Sequence, residues 1–204
     1  TVINGNVAIT PGITLTGFNP FGVINGVTTL GTSVAGQAQN DVTTTYNYFQ
    51  GTVATVQMTV VDLAGQTLGS VVYKFNAAAA CSTPGGILTL NGTDVYIFQI
   101  GSTLVTSGNS TIKAINGVDP SCIFWQAGSS ATLSENSECI GNIYSYAPAV
   151  LQSMSSVRVP SMREQQPVYL TLISLLVTIH TLPVHLYGVI DLTNQYLIFV
   201  LFSK

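Results

Sequence analysis

Few side chains in this chain could make or break bonds, and their spacing brings none of them together. Asp41, Asp62, Asp94 and Asp119 fall in different turns, Lys74 and Lys113 stand alone, and no two carboxylates sit where they could share a substrate. A pair of that kind is the minimum for acid–base hydrolysis, and clustered acids with a basic residue are what a calcium-assisted polysaccharide lyase would need. Both histidines, His180 and His185, lie near the end of the chain, so a Ser-His-Asp set would have to be drawn from there. Cys81, Cys122 and Cys139 show no metal-ligand spacing and allow at most one disulfide with a thiol left over. The separation of Cys122 and Cys139 leaves a bridge and two free thiols equally open. No catalytic residue, metal or cofactor is assigned, and the chain is expected not to be an enzyme.

What recurs instead is hydroxyl groups in alternation. Thr103, Val105 and Ser107 alternate with Leu104 and Thr106, and Ser130, Thr132 and Ser134 alternate with Ala131 and Leu133. A period of two means that one side of the strand meets the core and the other meets water. Stacked at about 4.8 Å, the outward residues would form a ladder of hydroxyls and methyls without charge. Strand propensity alone would also explain a Thr-rich solvated strand. The composition favours the ladder, because only 6% of residues are charged, against about a quarter in ordinary soluble domains. Five Lys and Arg against eight Asp and Glu leave no basic footprint for nucleic acid and no polybasic patch for anionic lipid.

The elements that would position these residues follow from a repeat. Residues 96–112 and 123–139 align without a gap at an offset of 27. Gln99, Gly101, Ser102, Ser107, Asn109 and Ser110 fall on Gln126, Gly128, Ser129, Ser134, Asn136 and Ser137, while Phe98 falls on Trp125. Self-similarity at such a period is the mark of a solenoid, whose coils bury their apolar edges on one another. Within the coils, 95–100 and 122–127 are apolar on nearly both sides and must be covered on both. The cover is predicted to be a helix over 32–50. There Thr32 or Ser33 can cap, Val34, Ala35, Ala38, Val42, Tyr46 and Phe49 recur at helical spacing, and Gly51 closes the run. Residues 53–61 and 71–75 read as strands, and 77–86 as a loop or a short turn. Trp125 reads as a core or helix-packing aromatic, and Asn109 and Asn136 as turn residues. Asn91-Gly92-Thr93 and Asn109-Ser110-Thr111 would accept glycans only in a chain secreted by a eukaryote.

The stretches 98–104 (Phe-Gln-Ile-Gly-Ser-Thr-Leu) and 124–133 (Phe-Trp-Gln-Ala-Gly-Ser-Ser-Ala-Thr-Leu) carry a family resemblance, together with Gly141-Asn142-Ile143, Gln37-Ala38-Gln39-Asn40-Asp41 and Tyr46. With the opening Val7-Ala8-Ile9-Thr10-Pro11-Gly12 and 13–18, the sequence over 1–151 resembles the ice-binding (antifreeze) proteins of cold-adapted bacteria, fungi and algae. The resemblance implies a mostly β, right-handed, discontinuous β-solenoid of triangular section with one long helix alongside. It also implies a flat face that adsorbs to ice, limits crystal growth and slows recrystallisation. The face would be carried by Thr103, Val105, Ser107, Ser130, Thr132 and Ser134. The expected partner is the ice surface and its ordered water, bound by a secreted monomer. The reading from another class is a cell-surface adhesin or glycan-binding solenoid, which exposed aromatic rings would favour.

Family members begin with a further strand before Thr1 and end with a capping coil that has no match after 151. The segment 152–204 differs in composition, holding Arg158, Arg163 and both histidines but, of the nineteen glycines, only Gly188. Its apolar run 168–190 is interrupted by Thr171, Ser174, Thr178, His180, Pro183 and His185, which makes a poor membrane span. A divergent final coil, an anchor and an out-of-frame translation remain three open readings of this tail.

Overall fold

Strands of only a few residues, separated by glycine and asparagine corners, gain little from their own hairpins and must pair with the same strand of the next coil. That is how they pair in the computed structural model, which describes residues 2–3, 6–11, 13, 15, 23–147, 149–152, 154–158, 170–172 and 197–199. An opening pair of turns supplies β1 (Val2–Ile3), β2 (Val7–Ile9), β3 (Val23–Ile24) and β4 (Thr28–Leu30), with β1 parallel to β3 and β2 parallel to β4. The helix α1 (Ser33–Gly51) follows. The chain then lays down β5 (Val56–Met58), β6 (Thr67–Leu68), β7 (Val72–Phe75), β8 (Ala79–Cys81), β9 (Ile87–Asn91), β10 (Tyr96–Ile100), β11 (Leu104–Thr106) and β12 (Thr111–Ile115). A 3-10 turn at Pro120–Cys122, capped by Asp119, leads into β13 (Ile123–Ala127), β14 (Ala131–Leu133), β15 (Glu138–Ile140), β16 (Asn142–Ser145), β17 (Ala149–Leu151) and β18 (Ser156–Arg158).

Each full coil gives one strand to each of three parallel sheets, ordered β16-β13-β10-β7-β5, β17-β14-β11-β8 and β18-β15-β12-β9-β6. The predicted repeat is the register itself: Phe98 lies opposite Trp125, Val105 opposite Thr132 and Thr111 opposite Glu138. Inside, the aromatic rings form a ladder. Phe98 stacks on Trp125 with centroids 4.0 Å apart and on Tyr73 at 5.2 Å. Trp125 is fully buried, and its indole N–H donates to the Ile140 carbonyl at 2.9 Å, so burial leaves no polar group stranded.

The helix forms where the spacing predicts it. Thr32 is its cap, accepting from the Ala35 N–H at 3.2 Å. Ala35, Val42, Tyr46 and Phe49 are buried against Ile97 and Tyr144, and Phe49 meets the Phe124 ring at 4.5 Å. This contact explains why all five residues of β10 are buried: one side faces the solenoid core and the other faces the helix. The side-chain amide of Gln99 donates to the carbonyls of Phe49 and Thr52 at 2.7 and 2.6 Å, tying the end of the helix to the sheet.

One sequence expectation is corrected. Residues 77–86 contain β8, a rung of the same sheet as β11 and β14. The run of alanines has low strand propensity, and lateral pairing with Leu104, Val105 and Thr106 overrides it. In the tail, β19 (Leu170–Leu172) and β20 (Leu197–Phe199) pair in parallel, with β19 beside β16 and β20 beside β2. These two strands therefore lie between the opening turns and the coils that follow the helix. The rest of the run 168–190, with Arg163, His180 and His185, lies outside the described residues, as does most of 12–18. Among the described residues no helix is long and apolar enough to cross a membrane.

Gln99→Leu should remove the side-chain donor from two carbonyls at the helix end, leaving that of Phe49 only the Thr52 N–H at 3.3 Å, and cost about 1–3 kcal/mol. Urea unfolding of both proteins, with amide exchange in the last turn of α1, measures it; an unchanged midpoint would show that the amide does not hold the helix down.

Candidate functional site

Three long sides of the coil stack could meet a partner, and their outward residues differ. The side formed by β5, β7, β10, β13 and β16 lies largely under the helix. The side formed by β6, β9, β12, β15 and β18 exposes Lys113 and Glu138 among its outward residues. The remaining side, β8, β11, β14 and β17, has Leu104, Thr106, Ala131 and Leu133 turned into the core. Its outward row runs Ala80, Val105, Thr132 and Val150 in direct register. Continuing that register, Thr103 lies beside Ser130, and Ser107 lies between Ser82 and Ser134. All six residues expected on the face therefore lie on this one side in adjacent coils, each partly exposed.

The sequence reading missed Ala80 and Val150, which extend the same row. The spacing hides them: β8 pairs with β11 at an offset of 25 residues and β14 with β17 at 18, whereas the visible repeat is 27. No local signal marks Val150, because Ala149-Val150-Leu151 is apolar throughout.

The corners that bound this side explain two repeated residue types. A Cβ on Gly101 would lie 2.7 Å from the Asn76 carbonyl oxygen, and one on Gly128 would lie 2.7 Å from that of Gly101. Only glycine lets the corners stack this closely. At the opposite corner the stacked residues Gly85, Asn109, Asn136 and Met154 all have left-handed backbone, with φ between 55° and 71°. Asn109 and Asn136 are thus turn residues.

Two carboxylates border the side, Glu135, exposed in the turn directly after Ser134, and Asp62. Asp62 bridges to Ala80, and its oxygens accept from the backbone N–H of Ala64 (2.9 Å) and of Ser82 (3.0 Å) and from the Thr83 hydroxyl (3.3 Å). The Ser82 side chain first, then the Ala64 N–H, hold its pKa below the ordinary carboxylate value. No group of three or more His, Cys, Asp and Glu among the described residues is placed to hold a metal ion. All three cysteines are free thiols, with Cys81 and Cys139 buried. Burial pushes Cys139 up to about 12, and burial also raises Cys81.

The family described as Ice-binding-like matches residues 1–171. The chain is 40% identical over 146 residues to an ice-binding protein of Nostoc sp. (strain HG1), covering 70% of this chain and 52% of that protein. It is 31% identical over 97 residues to an ice-binding protein of Flavobacterium frigoris (strain PS1), covering 47% of this chain and 34% of that protein. It therefore spans about half, or less, of the length of these curated relatives. The crystal structure of an ice-binding protein from the Antarctic ascomycete Antarctomyces psychrotrophicus superposes with a TM-score of 0.70 at 26% identity, over 98% of this chain and 87% of that one. The domain of an ice-binding protein from Shewanella frigidimarina shares the fold, with a TM-score of 0.60 at 18% identity, over 98% of this chain and 90% of that one.

Two outcomes are expected. Because the Asp62 pKa is depressed in the folded protein, its contribution to stability is present above the ordinary carboxylate range and disappears as pH falls through the folded value. Melting temperatures measured from pH 6 down to pH 2 should therefore converge for the parent and Asp62→Asn; a constant gap across that range would count against the hydrogen-bonded carboxylate. Iodoacetamide at pH 8 should label Cys122 in the folded protein and reach Cys81 and Cys139 only on unfolding, read by intact mass.

Proposed function

Because the chain belongs to the Ice-binding-like family, we propose that it is an ice-binding protein and that the outward side of β8, β11, β14 and β17 is the surface that adsorbs to ice. The observation that carries this reading is the in-register, uncharged set of Thr103, Val105, Ser107, Ser130, Thr132 and Ser134, extended by Ala80 and Val150.

The mechanism needs no bond chemistry. Rungs about 4.8 Å apart present a regular array of hydroxyls and methyls. Hydroxyls anchor first-layer waters by hydrogen bonds, while the methyls of Thr132, Val105 and Val150 restrict how those waters can orient. A lysine or a free carboxylate would hold a hydration shell that cannot join the lattice, because stripping water from a charge is costly. Asp62 interferes little, since two backbone N–H groups occupy its Oδ1 and the Thr83 hydroxyl donates to its Oδ2. Each contact is weak, and regular spacing allows many at once. Adsorbed molecules pin the growing front, hold freezing below melting and slow recrystallisation. Lys113 and Glu138 make the opposite side a poor candidate for the same task.

The rest of the reading follows from this one. The coils wind right-handed, as parallel crossovers almost always do, and three strands per coil, one in each sheet, give a triangular section. Strands within 152–204 act as a final coil that closes the gap between β16 and β2, so the ice-binding unit is 1–151 with that closure. The protein works outside the cell, as a monomer, on ice and its ordered water, without a cofactor and without catalysis.

Thr132→Tyr places a bulky ring at the centre of the face without entering the core. The folded variant should lose most thermal hysteresis and recrystallisation inhibition measured beside the parent, whereas Lys113→Tyr on the other side should keep both. Equal loss in the two variants would remove the face assignment, and a folded parent without either activity would remove the ice reading.

A further inference from the structure

The inward position just before the corner of each coil is apolar or nearly so in two coils, Cys81 and Leu133, and is Thr106 in the coil between them. Thr106 is 1% exposed, so its hydroxyl is placed where a methyl would pack as well, and burying a hydroxyl is unfavourable unless its hydrogen bonds are made. They are made, and all of them converge on one residue of the outward side. The Thr106 hydroxyl accepts from the Ser134 N–H at 3.0 Å and donates to the Ser137 hydroxyl at 2.9 Å. The Ser137 hydroxyl in turn donates to the Ser134 carbonyl at 2.7 Å.

The next coil repeats the turn bond, the Ser155 hydroxyl donating to the Gln152 carbonyl at 2.7 Å, but the neighbouring rungs lack the threonine hydroxyl. Ser107 N–H donates to the Cys81 carbonyl and Gln152 N–H to the Leu133 carbonyl, both at 2.8 Å, which are ordinary ladder bonds. At the rung between them the ladder bond of Ser134 is taken by a side chain instead. We propose that Thr106 is a positioning residue for the ice-contacting face: through Ser137 it clamps both polar backbone groups of Ser134 and so fixes where that residue stands beside Ser107. This rests on the ice-binding reading of the same side and adds to it the internal device that sets one rung. Regular spacing between coils is what many weak simultaneous contacts require, and a support left loose by even a fraction of an ångström would cost the face more than it costs the fold.

The test uses the full chain with Thr106→Val, which keeps the shape and removes the hydroxyl, and Thr106→Ser, which keeps the hydroxyl. Amide exchange at Ser134 and thermal hysteresis are measured on both beside the parent. In Thr106→Val the Ser134 amide should exchange about tenfold faster and hysteresis should fall about threefold, with circular dichroism unchanged. Thr106→Ser should keep both near the parent values. Should Thr106→Val fail to fold, Ser137→Ala opens the same ring from the other end and should move both readouts in the same direction. Unchanged Ser134 exchange in the folded variants would overturn the clamp, and faster exchange with full hysteresis would overturn its role in the face. A parent without hysteresis would sink the ice reading and the functional part of this proposal with it, while exchange would still decide the clamp.

Discussion

Parallel pairing between successive coils is the interaction on which everything else in this molecule rests. A strand of three residues cannot stand by itself, because ordering its backbone costs more than its few hydrogen bonds return. Stacked, each strand between two neighbours satisfies its amides and carbonyls on both sides, and the same stacking sets the aromatic rings of Tyr73, Phe98 and Trp125 face to face. Core and surface are thereby coupled. The register that aligns Phe98 with Trp125 inside also aligns Val105 with Thr132 outside.

The corners convert pairing into a regular surface. Gly101 and Gly128 approach the preceding carbonyl too closely for any side chain, and the left-handed residues at the other corner turn the chain at the same point in each coil. Between these limits a strand can place only a short outward row, so the face is narrow along the strand and extended across it. The helix removes a second side from solvent, tied down by Gln99 and by the Phe49 contact with Phe124. Few charges are needed in such a design: Asp62 and Asp119 are hydrogen-bonded, Lys113 lies on another side, and Glu135 stands in the corner after Ser134.

Much of this was legible before any coordinates. The gapless repeat of 27 was visible because the coils of β10 and β13 have equal loop lengths, and the helix announced itself through Thr32, Val42, Tyr46 and Phe49. Other coils were hidden because their loops differ, which shifts β8 and β17 off the period and left β8 looking like a loop of alanines. Asp62 looked like a stray charge, since nothing local shows that Ser82 and Thr83 would return to it twenty residues later.

The sequence by itself determined the class of the molecule: coils, one covering helix and an uncharged alternating strand. These follow from periodicity and composition, which are local properties of the chain. The tertiary structure alone decided which outward residues share a face, because that depends on register between coils of unequal length. It also decided that Thr106, an inward residue in an apolar position, spends its hydroxyl on the neighbouring coil. Hydrogen bonds between residues nearly thirty positions apart leave no mark on local pattern; only the stacking brings their partners within reach.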